Sequence, residues 1–143
     1  MIELREITEE NFTECFALQA GVDNENFVDD VIYSLAEAWV FRKGTEAFAI
    51  YNDEAMIGFV SMYIGEGLCQ ITNFMIDVAY QGRGFGTSAA RICIDFLKWK
   101  YGVERISAPV NIDNIKALKF WEKMGFSMSE TIENGYVFMR VHI

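Results

Sequence analysis

The most constraining feature of this sequence is an apolar segment that leads into three alternating glycines and then into a long amphipathic segment. LCQITNFMID (68–77) has the composition of a buried strand, and ICIDFLKWK (92–100) carries apolar residues at helical spacing. Gly82, Gly84 and Gly86 lie between them. Glycine destabilises regular structure, so three at alternate positions predict a loop whose backbone is approached closely. A strand, a glycine loop and a helix predict a crossover between parallel strands.

The other periodicities predict the order βααβββαβαββ, and therefore a single α/β domain over residues 1–143. Strands are predicted over 2–7, 47–51, 55–64, 68–77, 104–110, 126–131 and 135–141. Helices are predicted over 8–19, 26–39 and 114–124, and a further helix of about 15 residues is predicted to follow the glycine loop directly. Thr8 is the expected N-cap of the first helix, and Gly125 the residue that ends the last one.

Charge is distributed unevenly along the chain. Residues 1–37 carry ten acidic side chains and one basic one, which accounts for the whole net charge of −9. The segment 81–123 carries eight basic side chains and four acidic ones. Such polarity can attract ligands of opposite sign to different places, although acidic helix faces that keep the protein soluble explain it equally well. A pI near 4.5 argues against a nucleic-acid partner.

Cysteine and histidine usage predicts no zinc site. The three cysteines are far apart with no C-x-x-C spacing, and His142 is the single histidine. The start, MIELREITEE, has no secretory pattern, and charge or glycine interrupts each apolar run before it reaches the length of a membrane span. We therefore expect a cytoplasmic protein without a membrane partner.

The glycine loop has the composition of an anion-binding site. A loop that opens a helix exposes unpaired backbone N–H groups at the positive end of the helix dipole. Arg83 adds a charge, and Thr87 and Ser88 add hydroxyls. A tight turn with helix capping is the alternative. The segment lacks the Lys-Ser/Thr pair of a P-loop, and its third glycine is one position too early for G-x-G-x-x-G, so neither an NTPase nor a Rossmann site is favoured.

Two motifs resemble those of the GNAT superfamily of N-acetyltransferases. QGRGFG (81–86) resembles the Q/R-x-x-G-x-G/A loop that holds the pyrophosphate of coenzyme A in that family. NIKALKFWEKMGF (114–126) resembles its second signature, and the order of elements matches over nearly the whole chain. The resemblance implies acetyl-CoA as the cofactor. It also implies a mixed, twisted sheet of six to seven strands with helices on both faces.

The resemblance also implies which residues contact the cofactor. The strand that ends at Asp77 would lie along the pantetheine arm, with the backbone N–H near Ile76 as the oxyanion donor. Pro109 agrees with this arrangement, because the family's fourth and fifth strands separate at the cofactor and a proline there removes no ladder hydrogen bond. The implied cofactor-binding residues are Phe74, Met75, Ile76, Asp77, Gln81, Gly82, Arg83, Gly84, Phe85, Gly86, Thr87, Ser88, Asn114, Ala117 and Phe120.

The chain departs from the family at Trp121, where a tyrosine commonly protonates the leaving thiolate. An indole N–H is not a usable acid, and Trp121 continues the apolar stripe of Ala117 and Met124, so a core or pocket-wall role is the alternative. Either another group protonates coenzyme A, or the attacking ammonium supplies the proton. A module that binds acyl-CoA without catalysis is a further alternative.

The acceptor is the less determined half of the function. In this family the two N-terminal helices form much of the acceptor wall, and this chain concentrates its negative charge there. LREITEENF and FMID are similar to segments of bacterial diamine and spermidine N-acetyltransferases. We therefore expect acetyl transfer to a primary amine of a small molecule, with a diamine or polyamine favoured over aminoglycosides, a protein N-terminus or a small amine metabolite. The candidate substrate-binding residues are Glu25, Asp29 and Asp30, and Glu66 joins them as a candidate general base.

The last segment, GYVFMRVHI (135–143), is a candidate for strand pairing between subunits, as happens in this family. A homodimer is therefore a possible assembly.

Overall fold

The computed structural model describes residues 1–24 and 27–143. Glu25, one of the substrate-binding candidates, lies outside the described residues. The element order is the predicted one, with one additional 3-10 turn over Val78–Tyr80. The elements are β1 (Ile2–Glu6), α1 (Phe12–Phe16), α2 (Val31–Val40), β2 (Thr45–Asn52), β3 (Ala55–Ile64), β4 (Leu68–Ile76), α3 (Phe85–Tyr101), β5 (Arg105–Asn111), α4 (Ile115–Lys123), β6 (Ser127–Glu133) and β7 (Tyr136–His142).

The seven strands of the described residues form one mixed sheet in the order β1-β2-β3-β4-β5-β7-β6. Strands β4 and β5 are parallel and are joined through α3, which confirms the predicted crossover. The other neighbouring strands are antiparallel. Strand β7 lies between β5 and β6, so the idea that it is free to pair with a second subunit is wrong.

Helices cover both faces of the sheet, as expected. Successive residues of a strand point to opposite faces. Ile50 and Val60 therefore pack with α3 and α4, while Ala49 and Phe59 pack with α1 and α2 on the other face. Among the described residues, no helix is both long enough and apolar enough to cross a bilayer.

Bulges in β3 and β4 change which side chains face each layer. The pairing register shifts at Ile57 in β3 and at Thr72 in β4, where one residue has no partner on the neighbouring strand. An extra residue reverses the alternation that follows it. Ile71 and Phe74 consequently pack on the α3 side although they are three residues apart, whereas Met75 packs on the α1–α2 side.

Both N-terminal helices are shorter than predicted. Thr8 opens a turn that precedes α1, since its Oγ1 accepts the N–H of Glu10 at 3.3 Å and its carbonyl accepts the N–H of Phe12 at 2.9 Å, and the regular helix starts after Asn11. Helix α2 begins after Asp30, whose Oδ1 accepts the N–H of Tyr33 at 2.8 Å. This cap holds Asp30 in an extended conformation, which a continuous helix through 27–30 would not allow.

Candidate active site

The site lies where β4 and β5 separate. They pair only through Leu68–Gln70 and Arg105–Ser107, although both strands continue beyond that point. Two cavities open around the separated ends. The acidic cavity, of about 590 Å³, is lined by Asp29, Glu37 and Glu133 and includes the space between the strands. The glycine-loop cavity, of about 340 Å³, is lined by Gly82, Gly84 and Gly86 and adjoins the first. Both are lined by Val28, Phe74, Met75, Asn114, Ala117 and Trp121, so they form one continuous cleft. Pro109 lies past the last residue of β5 that pairs with β4, as its missing N–H suggested, and it stays opposite Phe138 of β7.

The glycine-loop cavity ends at the N-terminus of α3. Gly82 and Gly84 have left-handed φ values of +78° and +82°, which side chains other than glycine rarely adopt. The first backbone N–H of α3 with an internal acceptor is that of Ser88, which donates to Gly84 at 3.2 Å. Within the described part of the chain, the N–H groups of residues 85–87 have no internal acceptor. They are therefore available to an anion, as the sequence predicted.

Most of the predicted cofactor residues line this cleft. They are Phe74, Met75, Ile76, Gln81, Gly82, Gly84, Gly86, Thr87, Asn114, Ala117 and Phe120. Four others do not line either cavity. Asp77 accepts the N–H groups of Gln19 and Ala79, and Phe85 packs beside Tyr80. Arg83 and Ser88 are exposed at the outer surface of the loop.

Gln81 braces the loop. Its amide nitrogen donates to the carbonyls of Ala20 at 2.9 Å and of Ile76 at 2.8 Å. This side chain therefore ties the end of β4 to the segment after α1. Gln81, the first residue of the QGRGFG motif, therefore supports the loop and also lines the glycine-loop cavity.

The oxygen and the nitrogen of the Asn114 side-chain amide have separate roles. Asn114 is the N-cap of α4, where its Oδ1 accepts the N–H of Ala117 at 3.2 Å. The residue is 8% exposed and lines both cavities. Because the cap engages the oxygen, the amide nitrogen is left as a donor toward the cleft.

Trp121 forms a wall of the cleft. Its ring is 5% exposed and lies 5.6 Å from Phe74, 5.0 Å from Phe120 and 4.9 Å from Phe126, between ring centroids. The contacts match the alternative that the apolar stripe of α4 suggested. Trp121 is therefore an aromatic packing residue in this cleft.

The acidic cavity has carboxylates and aromatic rings in its lining. The carboxylates are Asp29, Glu37 and Glu133, and no lysine or arginine lines it among the described residues. Burial raises the pKa of the Asp29 carboxyl, and the neighbouring charge of Asp30 raises it further. The rings belong to Phe27, Tyr33, Phe59, Phe74, Trp121, Tyr136 and Phe138.

Two of the predicted acidic residues lie outside the cleft lining. Asp30 uses its carboxylate to cap α2, and Glu66 is exposed in the turn between β3 and β4. Sequence reasoning missed Glu37, Glu133 and Lys116, the last of which lines the glycine-loop cavity. Lys116 and Glu37 belong to the charged segments already noted, but no sequence signal singles out Glu133.

Comparison with known proteins gives the same family. Over 139 residues the chain is 22% identical to the spermine/spermidine N(1)-acetyltransferase of Bacillus subtilis, covering 92% of this chain and 91% of that protein. Over 80 residues it is 26% identical to the uncharacterized N-acetyltransferase YobR of Bacillus subtilis, covering 56% of this chain. The chain spans about a third (32%) of the length of YobR.

The fold also matches solved structures. The spermidine N-acetyltransferase of Vibrio cholerae, solved in complex with CoA and spermine, aligns with a TM-score of 0.77 at 17% identity, covering 99% of this chain and 95% of that chain. The model of the acetyltransferase (GNAT) family matches residues 2–126. With the separated strands, the glycine loop and this match over most of its length, the chain belongs to the acetyltransferase (GNAT) family.

Proposed function

We propose that this protein transfers the acetyl group of acetyl-CoA to a primary amine of a cationic diamine or polyamine. The observation that carries the proposal is the continuous cleft. It joins an anion-binding helix N-terminus at one end to an acidic cavity at the other, across the gap between β4 and β5.

The glycine-loop cavity fits the phosphates of coenzyme A. Its free N–H groups and the nearby Lys116 favour an anion, and its glycines let that anion approach the backbone. A Cβ added at Gly82 or Gly84 would meet no atom within 4 Å, so the loop is open to a ligand. The unpaired edge of β4 from Ile71 onward offers backbone groups to the pantetheine arm.

The acidic cavity fits a cationic acceptor with an aliphatic chain. Carboxylates pair with ammonium groups, and the aromatic rings pack against methylene groups and favour a nearby cation. Two comparisons point the same way, because the Bacillus subtilis relative is named for spermine and spermidine and the Vibrio cholerae structure contains spermine.

When bound, acetyl-CoA supplies an activated acetyl thioester. The chain contributes a backbone N–H near Ile76, which we expect to donate to the carbonyl oxygen as negative charge develops there. Trp121 lines the cleft as a buried apolar wall and provides no usable acid. Coenzyme A can leave as its thiolate without an acid, because the pKa of a thiol is ordinarily about 8.5, and the thiolate then takes up the proton that the attacking nitrogen loses. Asp29 is the predicted carboxylate that lines the acceptor cavity and remains the candidate for taking up a proton.

The test is a coenzyme A release assay with acetyl-CoA and a panel of amines. The panel includes polyamines, aminoglycosides and peptides with a free N-terminus, and the expected result is the fastest release with a diamine or polyamine. Tight binding of acetyl-CoA with no release in any reaction would contradict the enzyme and would favour a binding module. Faster release with an aminoglycoside or a peptide would contradict the proposed acceptor.

A further inference from the structure

Glu37 is held at a defined place in the acidic cavity. The amide nitrogen of Asn73 donates to Glu37 Oε1 at 3.2 Å and to Ser61 Oγ at 3.0 Å. Ser61 is 2% exposed and pairs with Asn73 across β3 and β4, next to the bulge at Thr72. A carboxylate of helix α2 is thereby connected to the sheet at the point where the β4 register changes.

The place of Glu37 differs from that of the reacting group. Ile76, near the expected oxyanion donor, lines the glycine-loop cavity, whereas Glu37 and Asn73 line only the acidic cavity. Ile76 is three residues from Asn73, which at a strand rise of about 3.3 Å per residue corresponds to about 10 Å. That separation is on the scale of an extended alkyl chain with an ammonium group at each end.

We propose that Glu37, positioned by Asn73, binds the ammonium group of the acceptor that is not acetylated. The site then selects diamines over monoamines of the same length. This inference rests on the proposed function, since it assigns the far end of the same acceptor.

The surroundings of Glu37 favour such a contact. No lysine or arginine competes for its carboxylate among the described lining residues, and Asn73 engages Oε1 through a neutral amide. The second oxygen is left for a charged donor. Met75 packs on the α1–α2 side of the sheet, the side on which α2 carries Glu37, and it lines both cavities, so it is an apolar side chain against which methylene groups can pack.

The experiment compares 1,4-diaminobutane with butylamine in the wild-type protein and in Glu37→Gln. Loss of one charge-assisted hydrogen bond predicts a fall in kcat/KM for the diamine of about 10- to 100-fold. The value for butylamine and the KM for acetyl-CoA should remain within about twofold, because neither ligand reaches Glu37. Glu130→Gln is the matched control, since Glu130 is exposed on β6 and lines neither cavity.

Asn73→Leu tests the positioning role. It should raise the KM for the diamine with little change in kcat, and its effect should largely disappear when Glu37 is already Gln. Additive effects in the double variant would show that Asn73 does not act through Glu37. Unfolding curves of each variant separate these effects from a loss of folded protein.

Failure of this inference is distinguishable from failure of the proposed function. Turnover with equal kcat/KM for the diamine and butylamine, or an unchanged diamine preference in Glu37→Gln, overturns the role of Glu37 and leaves acetyl transfer standing. If the wild type turns over no amine, calorimetry of 1,4-diaminobutane with the protein loaded with coenzyme A decides. Binding that Glu37→Gln weakens supports the inference, and binding that is absent or unaffected overturns it.

Discussion

Replacing Gly58 by alanine should displace the strand that carries the proposed thioester site. Gly58 follows the bulged residue Ile57 and pairs with Ile76 at the end of β4. A Cβ built at Gly58 would lie 2.3 Å from the carbonyl oxygen of Met75 and 3.3 Å from the Cα of Ile76. Both contacts involve backbone atoms, so a side-chain rotation cannot relieve them.

The magnitude follows from that clash. To bring the Cβ–oxygen distance to about 3.0 Å, β3 and β4 must move apart by roughly 0.7 Å, and overpacking of this kind costs about 1–3 kcal/mol. Alanine stiffens the unfolded chain and offsets about 0.4–1 kcal/mol of this cost. We expect a net loss of about 1–2 kcal/mol, or a fall in Tm of about 3–8 °C. A shift of the Met75–Ile76 backbone by roughly 0.7 Å should also lower kcat/KM by about 10- to 100-fold.

Urea unfolding and the coenzyme A release assay measure the two effects. Gly44→Ala is the matched control, because the closest contact of its Cβ would be the ring of Tyr63, at 3.1 Å, and that side chain is exposed and can move, while the carbonyl oxygen of Ile64 would lie at an ordinary van der Waals distance of 3.6 Å. We expect this control to be close to wild type in both assays. If Gly58→Ala had wild-type stability and activity, the inferred contact between β3 and β4 and its effect on the site would be refuted.

Three further predictions concern other parts of the molecule. Burial raises the pKa of Cys15 to about 11 and of Cys93 to about 12, and it also raises the pKa of Cys69. At about pH 8 the thiolate fraction of these cysteines is then small, so the native protein should not react with a disulfide reagent. The denatured chain should show three free thiols. Rapid labelling of the native protein would contradict this prediction. Trp121→Tyr should leave the pH profile of kcat unchanged because the ring is a packed wall, and a shifted alkaline limb would instead reveal a proton donor. Asp30→Ala should lower the free energy of unfolding by about 1 kcal/mol, because the N-cap of α2 is lost. Asp30→Asn is the control, since asparagine can also accept the capping hydrogen bond. The affinity for acetyl-CoA should remain unchanged in both variants.

Local patterns account for the predictions that succeeded. The glycine loop, the crossover and the end of α4 at Gly125 depend on residues close together in sequence, and each has a backbone reason that operates locally. Gly125 illustrates this, since it follows Met124, the C-cap of α4, and takes a left-handed φ of +98°. The N-terminal helices were predicted too long because the turn at Thr8 and the cap at Asp30 are satisfied by hydrogen bonds that apolar periodicity does not encode.

The acceptor side required the tertiary structure. The sequence alone determined the α/β order, the glycine loop before α3 and the concentration of acidic charge in the first 37 residues. It did not determine which carboxylates meet. Glu37 and Glu133 are 96 positions apart in sequence, yet both line the acidic cavity, because β4 and β5 separate there and α2, which packs on β2 and β3, contributes residues to the same cavity. The bulge at Thr72 and the contact of Asn73 with Glu37 depend on pairing between distant segments, which no local propensity specifies.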